Sequence, residues 1–475
     1  MLFDSFTFAA FFGLVLCLHR IPIPWSVKKF NLLVASYVFY GAWNPPFIGL
    51  LFLSTVIDWT AAGRIAKTHN SVVRRVWLSV SVCTNLGLLC FFKYGAFVLE
   101  NISPLLGIAG VDYQSPSVSI ILPWGISFYT FQSMSYTIDV YRGHMKPWKS
   151  FQDVALYIAF FPQLLAGPIV RSGAFLPQCV RERAVSTRKL AWGLSLVTFG
   201  LFLKVVVADT LLAPIVDRVY DESARPDTLS AWCGALAFPG QVYGDFCGYA
   251  ACAVGLALCL GFSLPDNFHC PYAAYGLADF WKRWHITLYS WFRDYVYISI
   301  GGNRKGSLRT CVNIVIVLAI SGLWHGASWT YVVFGFLHGI LLVIEIAIKR
   351  SRLAMLSLWK TLFGRILIVG ITFSTLAITE VLFRANSFAQ AGQILKTMFG
   401  IGPGGRNVRL DSFDIFVTSV VLQVVLVSHF ILRDTKLETL VDRYPWWARS
   451  LVLAGMISAI LMAPGDDRAF IYFEF

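Results

Sequence analysis

Long apolar stretches, separated by short polar or basic segments, recur from one end of this chain to the other. Hydrophobic residues make up 57% of its 475 residues and charged residues only 14%, which is far more apolar than a soluble protein needs. Uninterrupted apolar stretches predict helices that cross a bilayer, because a helix satisfies its own backbone hydrogen bonds in lipid. The chain is therefore expected to be an all-α integral membrane protein. The apolar stretches are 5–18, 30–42, 46–62, 76–99, 119–140, 151–170, 190–208, 228–262, 310–324, 327–348, 360–383, 411–432 and 447–463.

Several of these stretches fall short of the roughly 20 residues that a straight transmembrane helix requires. We therefore expect about eleven transmembrane helices, with the other stretches forming re-entrant or interfacial helices. No long linker, low-complexity tract or fixed-period repeat divides the sequence. A single membrane domain over residues 1–475 is the simplest interpretation, with a motif-rich core at about 119–348.

The net charge of +13 is explained by membrane topology, so no nucleic-acid partner is expected. Lys and Arg occupy short segments between apolar stretches, as the positive-inside rule requires of cytoplasmic loops. The N-terminus and the polar segments 221–227 and 401–412 are then expected on the outward side. Residues 5–18 lack a basic n-region and a cleavage site, so they are predicted to be a first span. The residues expected in cytoplasmic loops are Lys28, Lys29, Arg64, Lys67, Arg74, Arg75, Arg142, Lys146, Lys149, Arg181, Arg183, Arg188, Lys189, the segment 282–309, Lys349, Arg350 and Arg352.

His325 is the leading candidate for chemistry inside the membrane. It lies in the string Ser321-Gly-Leu-Trp-His-Gly-Ala-Ser328, where glycines on both sides permit a helix to break and present the imidazole to a cavity reached by water. A neutral imidazole takes a proton from a hydroxyl near neutral pH, as acyl transfer to an alcohol requires. The alternative is a packed histidine that donates to a neighbouring carbonyl.

Two further histidines accompany it. On one unbroken helix the imidazoles of His325 and His338 would lie about 19 Å apart and on different faces. His338 is therefore predicted either to support the site or to have a structural role. His285 is either a second site residue or an interfacial histidine with its tip in water.

Residues 277–299 carry an aromatic stripe. Its members follow the i, i+3, i+4 and i+7 spacing that places side chains on one face of a helix, and Lys282, Arg283, Arg293 and Asp294 lie off that face. Such a stripe with basic flanks is typical of a helix in the membrane interface; the alternative is a span packed inside the bundle. The stripe consists of Trp281, Trp284, His285, Leu288, Trp291, Phe292 and Tyr295.

The remaining charged residues give weaker signals. Carboxylates beside apolar sequence are expected to pair with Arg or backbone groups, and Arg171 is either a pathway residue or a loop anchor. No metal is expected, because the ten cysteines contain no C-x-x-C pair and no metal-ligand spacing is present. A basic collar near His285 is suited to the phosphates of a nucleotide-based donor or to anionic lipid headgroups, and spacing does not choose between them. The carboxylates are Asp139, Asp245, Glu345 and Glu380, and the collar is Arg283, Arg293, Arg304, Lys305 and Arg309.

At these motifs the sequence closely resembles the membrane-bound O-acyltransferase (MBOAT) family, in its bacterial alginate O-acetyltransferase branch. The matching strings run through most of the chain in family order. They are Leu122-Pro-Trp-Gly-Ile-Ser-Phe-Tyr-Thr-Phe-Gln-Ser133, Ile138-Asp-Val-Tyr-Arg-Gly143, Phe161-Pro-Gln-Leu-Leu-Ala-Gly-Pro168, Asp245-Phe-Cys-Gly-Tyr249, Phe280-Trp-Lys-Arg-Trp-His-Ile-Thr287, Trp291-Phe-Arg-Asp-Tyr295, Gly301-Gly-Asn-Arg304, Gly322-Leu-Trp-His-Gly326 and Leu382-Phe-Arg-Ala385.

The resemblance implies a multi-helix fold around a central funnel or tunnel. It implies that the near-invariant histidine of the family is His325 and that a second polar position falls on His285. One departure is that relatives commonly carry Ser-Asp where this chain has Ala250-Ala251, which allows a shifted substrate such as cellulose. The supporting or donor- and acceptor-binding candidates are His338, Trp324, Asp245, Tyr249, Arg171, Trp281, Arg283, Trp284, Arg293, Asp294, Asn303 and Arg304.

Together these features predict an O-acetyltransferase of the bacterial inner membrane that serves an exported polysaccharide such as alginate or cellulose. The resemblance implies acetyl-CoA as a donor substrate with no bound cofactor, periplasmic acetyltransferase partners and the polysaccharide export machinery. Acyl transfer to another cell-envelope polymer is one alternative. A transporter or channel with an intramembrane His/Asp/Arg relay is another, although the inverted repeat typical of transporters is not seen. A third is a scaffold that only recruits secretion partners.

Overall fold

The computed structural model of the protein describes residues 1–108, 120–401, 407–463 and 468–471. Within these ranges the structure is helical, and its β structure is one isolated bridge between Pro226 and Val408. The predicted all-α class is therefore confirmed.

Eight helical segments in the described ranges are long and apolar enough to cross a membrane, and two shorter apolar helices, Phe6–Arg20 and Trp446–Met462, accompany them. The predicted count of about eleven spans is not confirmed, because several apolar stretches fold into short helices. The eight are Phe47–Lys67, Ser71–Pro104, Thr187–Tyr220, Thr228–Cys259, Ser307–His325, Trp329–Arg350, Leu362–Arg384 and Ser412–Leu432.

The chain divides into two compact units. Unit 1 contains Met1–Leu194 and Ala253–Pro265, and unit 2 contains Ser195–Cys252 and Asp266–Phe475. Two of the boundaries fall inside helices, Thr187–Leu201 and Thr228–Cys259. The single membrane domain inferred from the sequence stays a prediction.

Two buried lysines of unit 1 pair with carboxylates, since an isolated charge in an apolar interior is costly. Lys28 donates to Glu182 (2.6 Å) and Lys29 to Asp153. Both lysines lie in the first turns of a helix and are buried, which corrects their predicted place in a loop. The helices of unit 1, with the shared one last, are Phe6–Arg20, Trp25–Gly41, Phe47–Lys67, Ser71–Leu89, Cys90–Tyr94 (π), Gly95–Ile108, Ile126–Tyr141, Phe151–Ala159, Phe161–Leu164, Ser172–Phe175, Leu176–Cys179 (3₁₀) and Thr187–Leu201.

Unit 2 contains all three histidines singled out by the sequence, at positions 285, 325 and 338. Its short helices lie among longer apolar ones. Its helices, with the shared Thr228–Cys259, are Phe202–Leu212 (π), Ala213–Tyr220, Pro271–Ala273 (3₁₀), Leu277–Phe280, Ile286–Trp291, Phe292–Tyr297 (π), Ser307–His325, Trp329–Arg350, Arg352–Met355 (3₁₀), Ser357–Lys360 (3₁₀), Leu362–Arg384, Phe388–Met398, Ser412–Leu432, Leu437–Val441 and Trp446–Met462.

Residues 277–299 do not form the single helix predicted from their spacing. The segment consists of Leu277–Phe280, a turn, Ile286–Trp291 and the π-helical Phe292–Tyr297. His285 interrupts it with a left-handed backbone (φ 43°), a conformation that a side chain other than glycine adopts only when its surroundings compensate. Every member of the stripe is buried inside the protein, so these side chains pack within it, and the placement at the membrane interface stays a prediction.

Candidate active site

A tight helical hairpin positions His325. The helix Ser307–His325 ends at the histidine, Gly326 is extended, and the Ser328 side chain caps the next helix by accepting the Thr330 N–H (3.3 Å). A Cβ added at Gly322 would lie 2.1 Å from the Tyr331 carbonyl oxygen, so only glycine permits this close approach. The helix break predicted from the glycines is present.

Aromatic rings enclose the His325 imidazole. Its ring centroid lies 5.1 Å from that of Trp324 and 5.3 Å from that of Phe383, both in edge contacts. Only 4% of the residue is exposed. The sequence predicted an imidazole on a passage reached by water; in the structure aromatic side chains enclose this ring.

Asn267 holds His285 in its unusual backbone conformation. The backbone carbonyl of Asn267 accepts the Ile286 N–H (2.9 Å), and its side-chain Oδ1 accepts the Thr287 N–H (3.2 Å) and hydroxyl (2.8 Å). The same Oδ1 lies 3.2 Å from Nδ1 of His285. Bonds on both sides of the histidine thus compensate for its left-handed φ.

The same contacts determine the chemical state of His285. Oδ1 of an amide only accepts, so Nδ1 of His285 carries the proton and Nε2 keeps its lone pair. Burial lowers the pKa of the His285 imidazole well below its ordinary value of 6.5, and the nearby His325 lowers it further. The residue is 2% exposed. His285 is therefore a neutral imidazole with a basic Nε2 at neutral pH.

Trp324 joins the two histidines. Its ring lies 5.9 Å from the His285 ring and 5.1 Å from the His325 ring. Phe246 closes the far side of His285 at 4.7 Å. The structure thus brings the two predicted catalytic residues to a single indole.

His338 hydrogen-bonds to Thr379. The Thr379 hydroxyl donates to the backbone carbonyls of Thr375 and Leu376, so it accepts from Nε2 of His338 (2.9 Å). The ring is fully buried between Phe334 (4.4 Å) and Trp281 (5.4 Å). These contacts fit the supporting or structural role predicted for it.

Asp245 pairs as predicted for an intramembrane carboxylate. It lies 2.6 Å from Nζ of Lys204 and accepts the Ile471 N–H (2.7 Å). Tyr249, one turn further along the helix, is buried against Phe470 (4.9 Å). Lys204 was not singled out from the sequence, although a lone lysine inside the apolar stretch 190–208 was an available signal.

The basic collar separates into buried and exposed parts. Arg283 donates to Asp279 (2.9 Å) and to the Arg433 carbonyl (2.9 Å), so it braces the protein rather than facing solvent. Burial raises the pKa of Asp279. The Tyr275 N–H and the guanidinium groups of Arg283 and Arg433 outweigh burial and hold that pKa below its ordinary value. The exposed members are Arg293, Arg304, Lys305 and Arg309.

The remaining candidates lie in different places. Arg293 pairs with Asp294 (2.7 Å), which raises the pKa of the guanidinium. Asn303 is exposed in the loop before the Ser307–His325 helix. Arg171 belongs to unit 1, where it precedes the short helix Ser172–Phe175. Trp284 is buried, 5.6 Å from Phe280.

Comparison with known proteins identifies the family. The profile of the membrane-bound O-acyltransferase family, MBOAT, matches residues 145–379. A probable alginate O-acetylase AlgI from Pseudomonas aeruginosa is 36% identical over 459 residues, which cover 94% of this chain and 85% of the relative. This chain belongs to the MBOAT family. It is therefore a multi-pass membrane protein and an O-acyltransferase.

Other MBOAT relatives are named for alginate or for peptidoglycan. A probable alginate O-acetylase AlgI from Azotobacter vinelandii is 38% identical over 407 residues, covering 85% of this chain and 79% of the relative. A peptidoglycan O-acetyltransferase from Helicobacter pylori is 35% identical over 399 residues, covering 78% and 74%. The predicted family and branch are thus confirmed, whereas these comparisons give no support to a transporter.

Two contacts in this MBOAT site were not foreseen from the sequence. Asn267 precedes the Phe280–Thr287 string, and the only signal was a polar pair, Asp266-Asn267, after a long apolar stretch. Phe383 lies in the family string Leu382-Phe-Arg-Ala385, but its contact with His325 was not predicted.

Proposed function

We propose that this MBOAT protein transfers an acetyl group from acetyl-CoA on the cytoplasmic side to hydroxyl groups of an exported polysaccharide, and that it acts in the bacterial inner membrane. The observation that carries the proposal is the pair of buried imidazoles, His285 and His325, packed on Trp324. The names of the alginate and peptidoglycan relatives support an exported polymer as acceptor. Periplasmic acetyltransferase partners and the export machinery complete the proposed pathway.

In this proposal His325 is the general base. The acceptor oxygen attacks the thioester carbonyl while its proton passes to the His325 imidazole; the C–S bond then breaks, and the proton leaves with the thiol. His285 orients the reacting groups through its basic Nε2, since its other nitrogen is committed to Asn267. A water-poor aromatic enclosure protects the thioester from hydrolysis.

The test compares His325→Ala with His144→Ala, a change at an exposed histidine in the other unit. Loss of a general base lowers the rate by about 10²–10⁴-fold. We expect His325→Ala to lower both thiol release from acetyl-CoA in proteoliposomes and the O-acetyl content of the secreted polysaccharide, measured by mass spectrometry. His144→Ala should leave both at the parental level. A folded His325→Ala protein that acetylates at the parental rate would falsify the assignment.

A further inference from the structure

A pocket of about 70 Å³ in unit 2 is lined mostly by polar and charged side chains. Two of its residues, Lys204 and Asp209, come from the π-helical stretch Phe202–Leu212. Such stretches are rare and often mark functional sites. The pocket is lined by the neutral Gln241 and by six charged residues, which are Lys204, Asp209, Asp217, Asp245, Arg384 and Arg468.

The formal charges of this pocket cancel. Lys204 lies between Asp209 (3.0 Å) and Asp245 (2.6 Å), and Asp217 lies between Arg384 (2.9 Å) and Arg468. Three cations therefore face three carboxylates. An anionic ligand such as a uronate or a phosphate would compete with these carboxylates for the same cations, so the pocket favours a neutral ligand.

Gln241 supplies an unused polar group at the pocket. The residue is 9% exposed, and its Oε1 accepts no hydrogen bond from the described residues. A buried acceptor left without a donor destabilises the protein, because it has lost its hydrogen bond to water. A ligand hydroxyl that donates to Oε1 removes this cost, and neighbouring hydroxyls of the same ligand can donate to the carboxylates and accept from Lys and Arg.

The pocket wall adjoins both histidines. Arg384 lines the pocket, and the preceding Phe383 packs on His325 (5.3 Å). On the other wall, Phe470 packs on Phe246 (5.6 Å), which packs on His285 (4.7 Å). Aromatic contacts thus connect residues adjacent in sequence to the pocket lining with both histidines.

The pocket also lies on the expected outward side. The helix Leu362–Arg384 follows the basic residues Lys349 to Arg352, expected in the cytoplasm, and reaches the pocket at its other end. The helix Ala213–Tyr220, which carries Asp217, leads into the segment 221–227, expected outside. An acceptor that is exported would approach from this side.

From these observations we propose that the pocket binds the acceptor as a neutral sugar residue, with one hydroxyl donating to Gln241 and neighbouring hydroxyls bridging the ion pairs. The proposal rests on the acetyltransferase function proposed above and names its substrate class. It requires Phe383 to move before the hydroxyl meets His325.

Binding of cellohexaose to the full chain in lipid nanodiscs tests the proposal without partner proteins. Loss of one buried hydrogen bond, about 1–3 kcal/mol, corresponds to about a 5- to 150-fold change in affinity, so Gln241→Leu should weaken binding at least about fivefold. The matched control is Gln423→Leu on an exposed helix face, which should bind like the parent. Hexamannuronate, the anionic probe, should not displace cellohexaose.

Three results would overturn the sugar pocket: no binding of cellohexaose by the parent chain, equal binding by Gln241→Leu, or tighter binding of hexamannuronate. If Gln241→Leu instead slows transfer to a serine of a partner protein while no oligosaccharide binds, the pocket takes a protein hydroxyl and the proposal is wrong. His325→Ala separates the two ideas. It should bind cellohexaose normally, and a parent chain that binds the sugar but consumes no thioester contradicts only the proposed function.

Discussion

The Asn267 side chain fixes the tautomer of His285. Its Oδ1 accepts hydrogen bonds from the Thr287 hydroxyl, the Thr287 N–H and the His285 Nδ1–H. An amide in this place orients the ring without adding charge. A carboxylate there would instead stabilise the protonated imidazole.

The variant Asn267→Asp should therefore shift the pH dependence of the reaction. The pKa of His285 now lies well below 6.5 because of burial, so its neutral form persists as the pH falls through 6.5. With a carboxylate at position 267 that pKa rises, and activity should be lost at a higher pH than in the parent. The measurement is kcat/KM for acetyl transfer between pH 5 and 8. An acid limb at the same pH in both proteins would show that His285 plays no part.

The two helices Ser307–His325 and Trp329–Arg350 approach each other closely at glycine residues. A Cβ at Gly335 would lie 2.1 Å from the Leu318 carbonyl oxygen, and one at Gly339 would lie 2.7 Å from Cα of Val315. Backbone atoms cannot move aside as a flexible side chain can. The glycines thus fix the spacing of the hairpin that carries His325.

Gly335→Ala should therefore force the two helices apart. Overpacking of this kind typically costs about 1–3 kcal/mol, so we expect a lower unfolding temperature in detergent and weaker acetyl transfer. The control is Gly370→Ala on the helix Leu362–Arg384, where an added Cβ meets no atom within 4 Å. If both variants unfolded at the same temperature, the stability of the hairpin would not depend on the close approach of its helices.

Sequence patterns predicted some of these elements and failed on others for physical reasons. The apolar stretches predict the long helices, and glycines beside His325 predict the break, because both signals are local. The aromatic stripe of 277–299 predicted one continuous helix, and its spacing carries no information on φ at His285, where the segment is interrupted. That φ depends on Asn267, and the partner of Asp245 is Lys204; both are long-range contacts that a periodic pattern does not encode.

Basic residues predict the orientation of the whole molecule. In unit 2 the helices Trp329–Arg350 and Leu362–Arg384 leave from or arrive at the basic segment 349–352, and Ser307–His325 starts beside Arg304, Lys305 and Arg309. The positive-inside rule places both regions in the cytoplasm. The segment 221–227, which includes the exposed Ser223, then faces outward.

Cysteine labelling tests this orientation. Ser223→Cys and Ser307→Cys both place a thiol at an exposed position, and the parent chain provides the background from its native cysteines. A membrane-impermeant maleimide should label Ser223→Cys in intact spheroplasts and Ser307→Cys only after permeabilisation. The reverse pattern would show that the topology is opposite and that the pocket lined by Lys204 and Asp245 lies on the cytoplasmic side.

The segment 468–471 has a practical consequence for anyone who purifies this enzyme. Arg468 holds Asp217, the Ala469 carbonyl accepts from Lys204 (3.4 Å), and the Ile471 N–H holds Asp245. A protein that lost this segment would keep every transmembrane helix described above, so the loss would be easy to overlook on a gel or a sizing column. It would nevertheless have lost three contacts to Asp217, Asp245 and Lys204. Intact mass should therefore be checked before a preparation without activity is judged.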